Sequence, residues 1–259
     1  MDLGIAGRKA LVCGASAGLG HACAKALVEA GVHVVVVART EGPLVEAAQR
    51  LAAIGRGRVE WVAADVTSAD GRARIFAAHP DFDIVVTNAG GPPPGDFRQW
   101  TRDDWLRAID ANMLAPIELI KATVDGMMAR GFGRIVNITS SAVKSPVEGL
   151  GLSTGARSGL TGFVAGLARQ TVARGVTINN LLPGTFDTAR LAGNLAAQAQ
   201  REGLTPEQAR ARRLAKHPAR RFGDPDELGR TCAFLCSVHA GYLNGQNILL
   251  DGGSFNGVF

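Results

Sequence analysis

The residues that can do chemistry in this chain stand in small groups at the ends of apolar runs. Gly14-Ala15-Ser16-Ala17-Gly18-Leu19-Gly20 follows the run Lys9 to Cys13. Glycines so placed allow a tight turn and let a pyrophosphate lie against backbone amides at a helix N-terminus. The spacing is GxxxGxG rather than GxGxxG, and a plain strand-to-helix turn also uses glycines. Asp65-Val66 closes a later run, where a carboxylate can accept from an adenine amino group. Asn88-Ala89-Gly90 closes another, where small residues let a ribose approach. Ser140-Ser141 closes the run Arg134 to Thr139, and beyond it Ser153 and Arg157 stand one helical turn apart. A serine hydroxyl can hydrogen-bond a carbonyl oxygen, and a guanidinium supplies permanent positive charge without trading protons.

Stepping along the chain, short β-rich runs alternate with longer helical patterns. Strands are predicted at Lys9 to Cys13, Val32 to Val37, Val59 to Ala63, Ile84 to Thr87, Arg134 to Thr139, Val176 to Leu182 and Asn247 to Leu250. The β-branched Val32 to Val37 run suits a strand buried on both faces. Helices are predicted over Leu19 to Ala30, Leu44 to Ile54, Asp103 to Ala129 with a bend at Pro116, Ser153 to Arg174, and Asp224 to Ser237. Strand-helix alternation implies an α/β fold: a Rossmann-like doubly wound parallel sheet of about seven strands in a single domain, residues 1–259. Ligands of such sheets bind beyond the carboxyl ends of the strands, where these groups lie.

Composition narrows the class. The chain has 259 residues, 46% hydrophobic and 20% charged, as in an ordinary globular protein. Cys13, Cys23, Cys232 and Cys236 make no CxxC pair, and we expect buried free thiols in a reducing cytoplasm, with no metal site. No signal peptide and no apolar run of about 18 residues is present, so no membrane span is expected. Net charge is +5, but Arg190 to Arg221 carries eight Lys/Arg against two Asp/Glu, a local +6 that leaves about −1 elsewhere. A chain basic in one segment is not patterned as a nucleic-acid binder.

These motifs together resemble the short-chain dehydrogenase/reductase family from about Gly7 to Gly253. The resemblance rests on the glycine turn, Asp65-Val66, Asn88-Ala89-Gly90, Asn112 within DANMLAP, the strand GRIVNITSS, Pro183-Gly184 with Thr188, RFGDPDELG and the closing GYLNGQNILLDGG. It implies one domain, a nicotinamide dinucleotide and usually a homotetramer, or a homodimer. It places the cofactor on Gly14, Ser16, Ala17, Gly18, Leu19, Gly20, Arg39, Thr40, Asp65, Val66, Asn88, Ala89, Gly90, Arg157, Pro183, Gly184 and Thr188. Of the family's working asparagine, serine, tyrosine and lysine, Asn112 and Ser140 match the first two. Ser153 and Arg157 stand where the tyrosine and lysine belong, and a 3-oxoacyl-carrier-protein reductase-like member with an atypical site is implied.

An acidic residue ending the second strand would repel a 2′-phosphate, and here that place is Ala38 followed by Arg39. NADP(H) is therefore expected over NAD(H). A serine is shorter and far less acidic than a phenol, so a carbonyl reduction here needs a non-standard proton donor. Loss of a general acid costs roughly 10²- to 10⁴-fold. Lys144, Glu148 and His217 are further donors near the expected site, while Tyr242, the lone tyrosine, by resemblance stands at a structural position of the family. By resemblance, residues 189–221 form a substrate lid, and its basic charge suits a small anionic or carrier-linked carbonyl or alcohol. The alternative is a member that has given up its reaction and binds NADP(H) as a regulatory or scaffold protein. The helix glycines Gly155, Gly159, Gly162 and Gly166 suggest close packing against a symmetry mate.

Overall fold

Strands buried on both faces are rich in apolar residues, as at β1 (Lys9–Cys13), β2 (His33–Ala38) and β4 (Ile84–Thr87), while β6 (Val176–Pro183) is fully buried although it carries Thr177, Asn179 and Asn180. With β3 (Val59–Ala63), β5 (Gly133–Ile138) and β7 (Asn247–Leu250) they form one parallel sheet, ordered β3-β2-β1-β4-β5-β6-β7. The computed structural model describes residues 1–258. The doubly wound sheet expected from the sequence is the one found.

Alternation along each strand feeds two cores. Val12, Val34 and Val36 face α1 (Gly18–Glu29), α2 (Glu41–Ala52) and α9 (Pro225–Cys236) through Leu27, Leu44 and Leu228. Leu11, Val35 and Val37 face the other side, meeting Ile75 of α3 (Ala69–Ala78), Leu119 and Met127 of α5 (Ala115–Arg130), and Leu160 and Val164 of α6 (Gly151–Thr171). The four cysteines are free and buried. A smaller third cluster joins Leu191, Leu195 and Ala199 of α7 (Ala189–Glu202) to Ala209 of α8 (Pro206–Lys216) and Phe222.

Some expectations change. The predicted helix over 103–129 is two helices, α4 (Arg102–Ile109) and α5, joined by a π turn at Asp110–Leu114. Pro116, where a bend was expected, lies in the first turn of α5 directly after that π turn. Helix α3, which buries only Gly71 and Ile75 fully, carries too little periodicity to have been read. The glycines of α6 divide. A Cβ on Gly155 would stand 3.0 Å from Trp105, and one on Gly159 would stand 2.7 Å from Met113, so these two admit the chain's own side chains. Gly162 and Gly166 have nothing within 4 Å.

Candidate active site

The sheet order reverses between β1 and β4, the place where open α/β sheets leave a crevice. The glycine turn follows β1 there. Gly14 and Gly18 adopt φ of 59° and 61°, which other residues resist. A Cβ on Gly20 would fall 2.3 Å from the Gly14 carbonyl oxygen, so only glycine lets α1 start this close. Ala17 caps α1 with no side-chain bond, and no acid occupies the first turn. The first amides of α1 therefore face outward with the helix dipole unspent, which fits a pyrophosphate.

One cavity of about 240 Å³ flanks this turn at the ends of β2, β3 and β4. Gly14, Ser16, Arg39, Thr40, Asp65 and Val66 line it, together with Asn88, Ala89 and Gly90. Asp65 is oriented by Thr67, whose N–H and hydroxyl donate to Oδ1 at 3.0 and 2.8 Å, leaving Oδ2 open. Partial burial pushes the Asp65 carboxyl up, but the Thr67 bonds and the Arg39 charge outweigh it, and the group lies below its ordinary range. Arg39 is exposed and pairs with no carboxylate among the described residues. Thr40 caps α2 without committing its hydroxyl. Both donors are thus free beside the rim where a 2′-phosphate would lie.

A second cavity, about 210 Å³, lies beyond the ends of β4, β5 and β6 and shares Asn88 and Ala89 with the first. Ser140, Ser153, Arg157, Pro183, Gly184 and Thr188 line it, with Leu19 at its edge. Ser140 follows β5 and accepts the Ala142 N–H at 3.1 Å. Helix α6 puts Ser153 and Arg157 on one buried face, and Arg157 Nε donates to Ser153 Oγ at 3.2 Å. Arg157 Nη1 donates to the carbonyls of Ile138 and Thr139 at 2.7 and 2.8 Å, and Nη2 to Ala89 at 3.3 Å. Burial first, and the charge of Arg190 second, hold this guanidinium down to about 10, so it stays cationic at neutral pH. No carboxylate pairs with it among the described residues.

The remaining expected residues lie elsewhere. Asn112 sits in the π turn, 3% exposed, with Nδ2 on the Ala108 carbonyl and Oδ1 without a partner; it lines neither cavity. Ala17, Gly18 and Gly20 form the turn between the cavities. Lys144 Nζ lies 5.7 Å from the Phe255 ring centre, outside the cavity, and Glu148 borders a separate hollow with Arg201. His217 is buried beside Phe222 and 3.2 Å from the Ser254 hydroxyl, so it supports the chain terminus rather than the cavity. Tyr242 is fully exposed. Sequence reading missed Leu150, Phe186, Arg190, Asn194 and Arg213 as lining residues. Only the basic run pointed toward two of them.

A parallel sheet of this order, with an uncapped glycine turn at its switch point and a cavity on either side, defines a dinucleotide-binding doubly wound fold. Known proteins make the class particular. The family described as Enoyl-(Acyl carrier protein) reductase matches residues 14–254. The 3-oxoacyl-[acyl-carrier-protein] reductase FabG of Vibrio cholerae is 32% identical over 257 residues, covering 98% of this chain and 99% of its own. Dehydrogenase/reductase SDR family member 4 of Oryctolagus cuniculus is 31% identical over 255 residues, covering 96% and 94%. The crystal structure of L-sorbose reductase from Gluconobacter frateurii, complexed with NADPH and L-sorbose, superposes with a TM-score of 0.94 at 28% identity over 100% of both chains. The chain belongs to the short-chain dehydrogenase/reductase family of oxidoreductases. Among the described residues no helix is long and apolar enough to cross a membrane, and no cluster of His, Cys, Asp and Glu is arranged to hold a metal.

Proposed function

We propose that this protein is an NADP(H)-dependent oxidoreductase that interconverts a carbonyl and an alcohol, with a proton donor other than a tyrosine. The observation that carries the reading is the pair of serines in the second cavity. Ser140 Oγ accepts from Ala142, and Ser153 Oγ accepts from Arg157, so each hydroxyl keeps its hydrogen for a substrate oxygen. Two such donors with a buried cation behind them polarise a carbonyl and stabilise the negative charge that grows on its oxygen.

The dinucleotide, when bound, supplies or accepts the hydride. The chain's residues do the rest. The α1 amides and glycine turn hold the pyrophosphate, Arg39 and Thr40 the 2′-phosphate, and Asp65 the adenine edge. Thr188, Pro183 and Gly184 border the nicotinamide end. Arg157 stands where the family has lysine, but its donors are committed to the β5 end and to Ala89. It acts through charge and by orienting Ser153 rather than by passing a proton. Ser153 stands in place of the tyrosine, and with no phenol lining the cavity the proton for the alkoxide comes from water. Helices α7 and α8 serve as the substrate lid.

The test is NADPH oxidation across a broad carbonyl panel that includes 3-oxoacyl thioesters. Wild-type turnover that falls sharply in Ser140→Ala supports a working enzyme of this type. Tight NADPH binding without turnover, and activity only in a Ser153→Tyr/Arg157→Lys variant, would mean that the chain keeps the cofactor and has given up the reaction.

A further inference from the structure

The cavity that holds Ser140 and Ser153 is lined by three arginines, Arg157, Arg190 and Arg213, and by no aspartate or glutamate. The acids nearby are engaged elsewhere. Asp187 is held by both terminal nitrogens of Arg210, at 3.1 and 2.5 Å. Glu202 takes Arg212 at 2.9 Å, and Glu227 takes Arg221 through two bonds of 2.7 Å. The positive excess of this segment therefore sorts in space. Arg210, Arg212 and Arg221 are paired with carboxylates away from the cavity, and Arg201, Lys216 and Arg220 do not line it; the exposed Arg190 and Arg213 line it without a carboxylate partner among the described residues.

Their surroundings point to a ligand. Arg190 crosses from α7 to the loop after β4, where Nη2 donates to the Gly91 carbonyl at 3.3 Å. A Cβ on Gly91 would stand 2.9 Å from that nitrogen, so the glycine leaves room for the guanidinium. Arg213 has no hydrogen-bond acceptor among the described residues. Beneath them Arg157 adds charge, but its N–H groups already serve Ser153 and three carbonyls. Three cations thus face one cavity, and the charge of Arg190 already disfavours that of Arg157. An anion among them relieves the repulsion and finds donors on Arg190, Arg213 and the Asn194 amide. The space, about 210 Å³, is below the usual range of ligand sites, roughly 300–1,000 Å³, and the nicotinamide end shares it, so the anion belongs to a small molecule.

We propose that Arg190 and Arg213 form a carboxylate subsite, so that the substrate is a small oxo acid whose carboxylate is gripped under α7–α8 while its carbonyl meets Ser140 and Ser153. The assignment rests on the carbonyl/alcohol reading above.

The test compares levulinate with its methyl ester, and acetoacetate with its methyl ester, by kcat/KM with NADPH. The wild type prefers each acid, and Arg213→Glu lowers the acid-to-ester ratio by roughly 10- to 100-fold. Lys216→Ala, on the same helix but outside the cavity, leaves the ratio alone. Equal use of acid and ester, or a rise in KM for NADPH in place of the change in ratio, overturns the subsite. If neither pair is turned over, the subsite is tested apart from turnover, by calorimetry of succinate binding to NADPH-saturated protein. Succinate binding that Arg213→Glu abolishes supports the subsite on its own; absence of binding, or equal binding by the variant, overturns it.

Discussion

Arg157→Lys keeps the charge and removes the geometry. The guanidinium makes two short bonds to the Ile138 and Thr139 carbonyls, at 2.7 and 2.8 Å, and two longer ones to Ser153 and Ala89, at 3.2 and 3.3 Å. A lysine ammonium is one compact centre with three donors. It can keep the short pair only by releasing Ser153 and Ala89. Bonds from a charged donor contribute about 1.5–3 kcal/mol each. Because the two that are lost are long, we take about 1.5–3 kcal/mol for both. Nothing offsets this, since an ammonium is hydrated more strongly than a guanidinium and gains nothing from the same burial. For a chain of this size about 1 kcal/mol moves Tm by roughly 2–4 °C, so the variant should melt roughly 3–12 °C below wild type. Thermal unfolding followed by circular dichroism reads it directly. Ser153→Ala removes one acceptor and should cost less than about 1 kcal/mol. An Arg157→Lys protein melting within about 1 °C of wild type would refute the claim that these four contacts fix the cation.

Three further outcomes follow from the same structure. Arg39→Ala should raise KM for NADPH by roughly 10- to 100-fold and leave KM for NADH nearly unchanged if the residue meets the 2′-phosphate as proposed; equal changes would mean that it merely stacks on adenine. Gly20→Ala puts a methyl group 2.3 Å from the Gly14 carbonyl and should cost about 1–3 kcal/mol with loss of NADPH binding, whereas Gly162→Ala, with nothing within 4 Å, should raise stability by about 0.5–1 kcal/mol. Loss of stability in Gly162→Ala with a change of oligomeric state by light scattering would instead place that face against a second copy. The Arg221 bonds, and then the Asp224 amide, hold Glu227 down to about 2. A carboxylate so depressed stabilises the fold above its unfolded pKa, near 4.5, and that help is lost as pH falls toward 2. The Tm gap between wild type and Glu227→Gln should therefore be full at pH 7 and close between pH 4.5 and 2; a gap independent of pH would count against it.

The parts legible in sequence are those set by local pattern. The Val34 to Val37 run, the glycine turn and Ser140 at a strand end each carry their signal within a few residues. The doubly wound sheet follows from the alternation, and the site follows from the sheet. Harder parts depend on encounters between distant segments. Nothing local tells that Arg157 reaches back to Ile138 and Thr139 on β5, or that Arg190 spans to Gly91. The eight basic residues of the 190–221 segment look alike in sequence. Only the fold separates Arg210, closed on Asp187, from Arg213, open to the cavity. The π turn holding Asn112 was hidden because its residues keep helical character on both sides.

The most direct test of the central claim is single-turnover NADPH oxidation by wild type and Ser140→Ala, each saturated with cofactor and carbonyl substrate. The account predicts a measurable wild-type hydride transfer that falls at least about 10²-fold in Ser140→Ala, as expected when a donor to the developing oxyanion is removed. Equal rates in the two proteins, or no transfer by wild type although NADPH binds tightly, would contradict it.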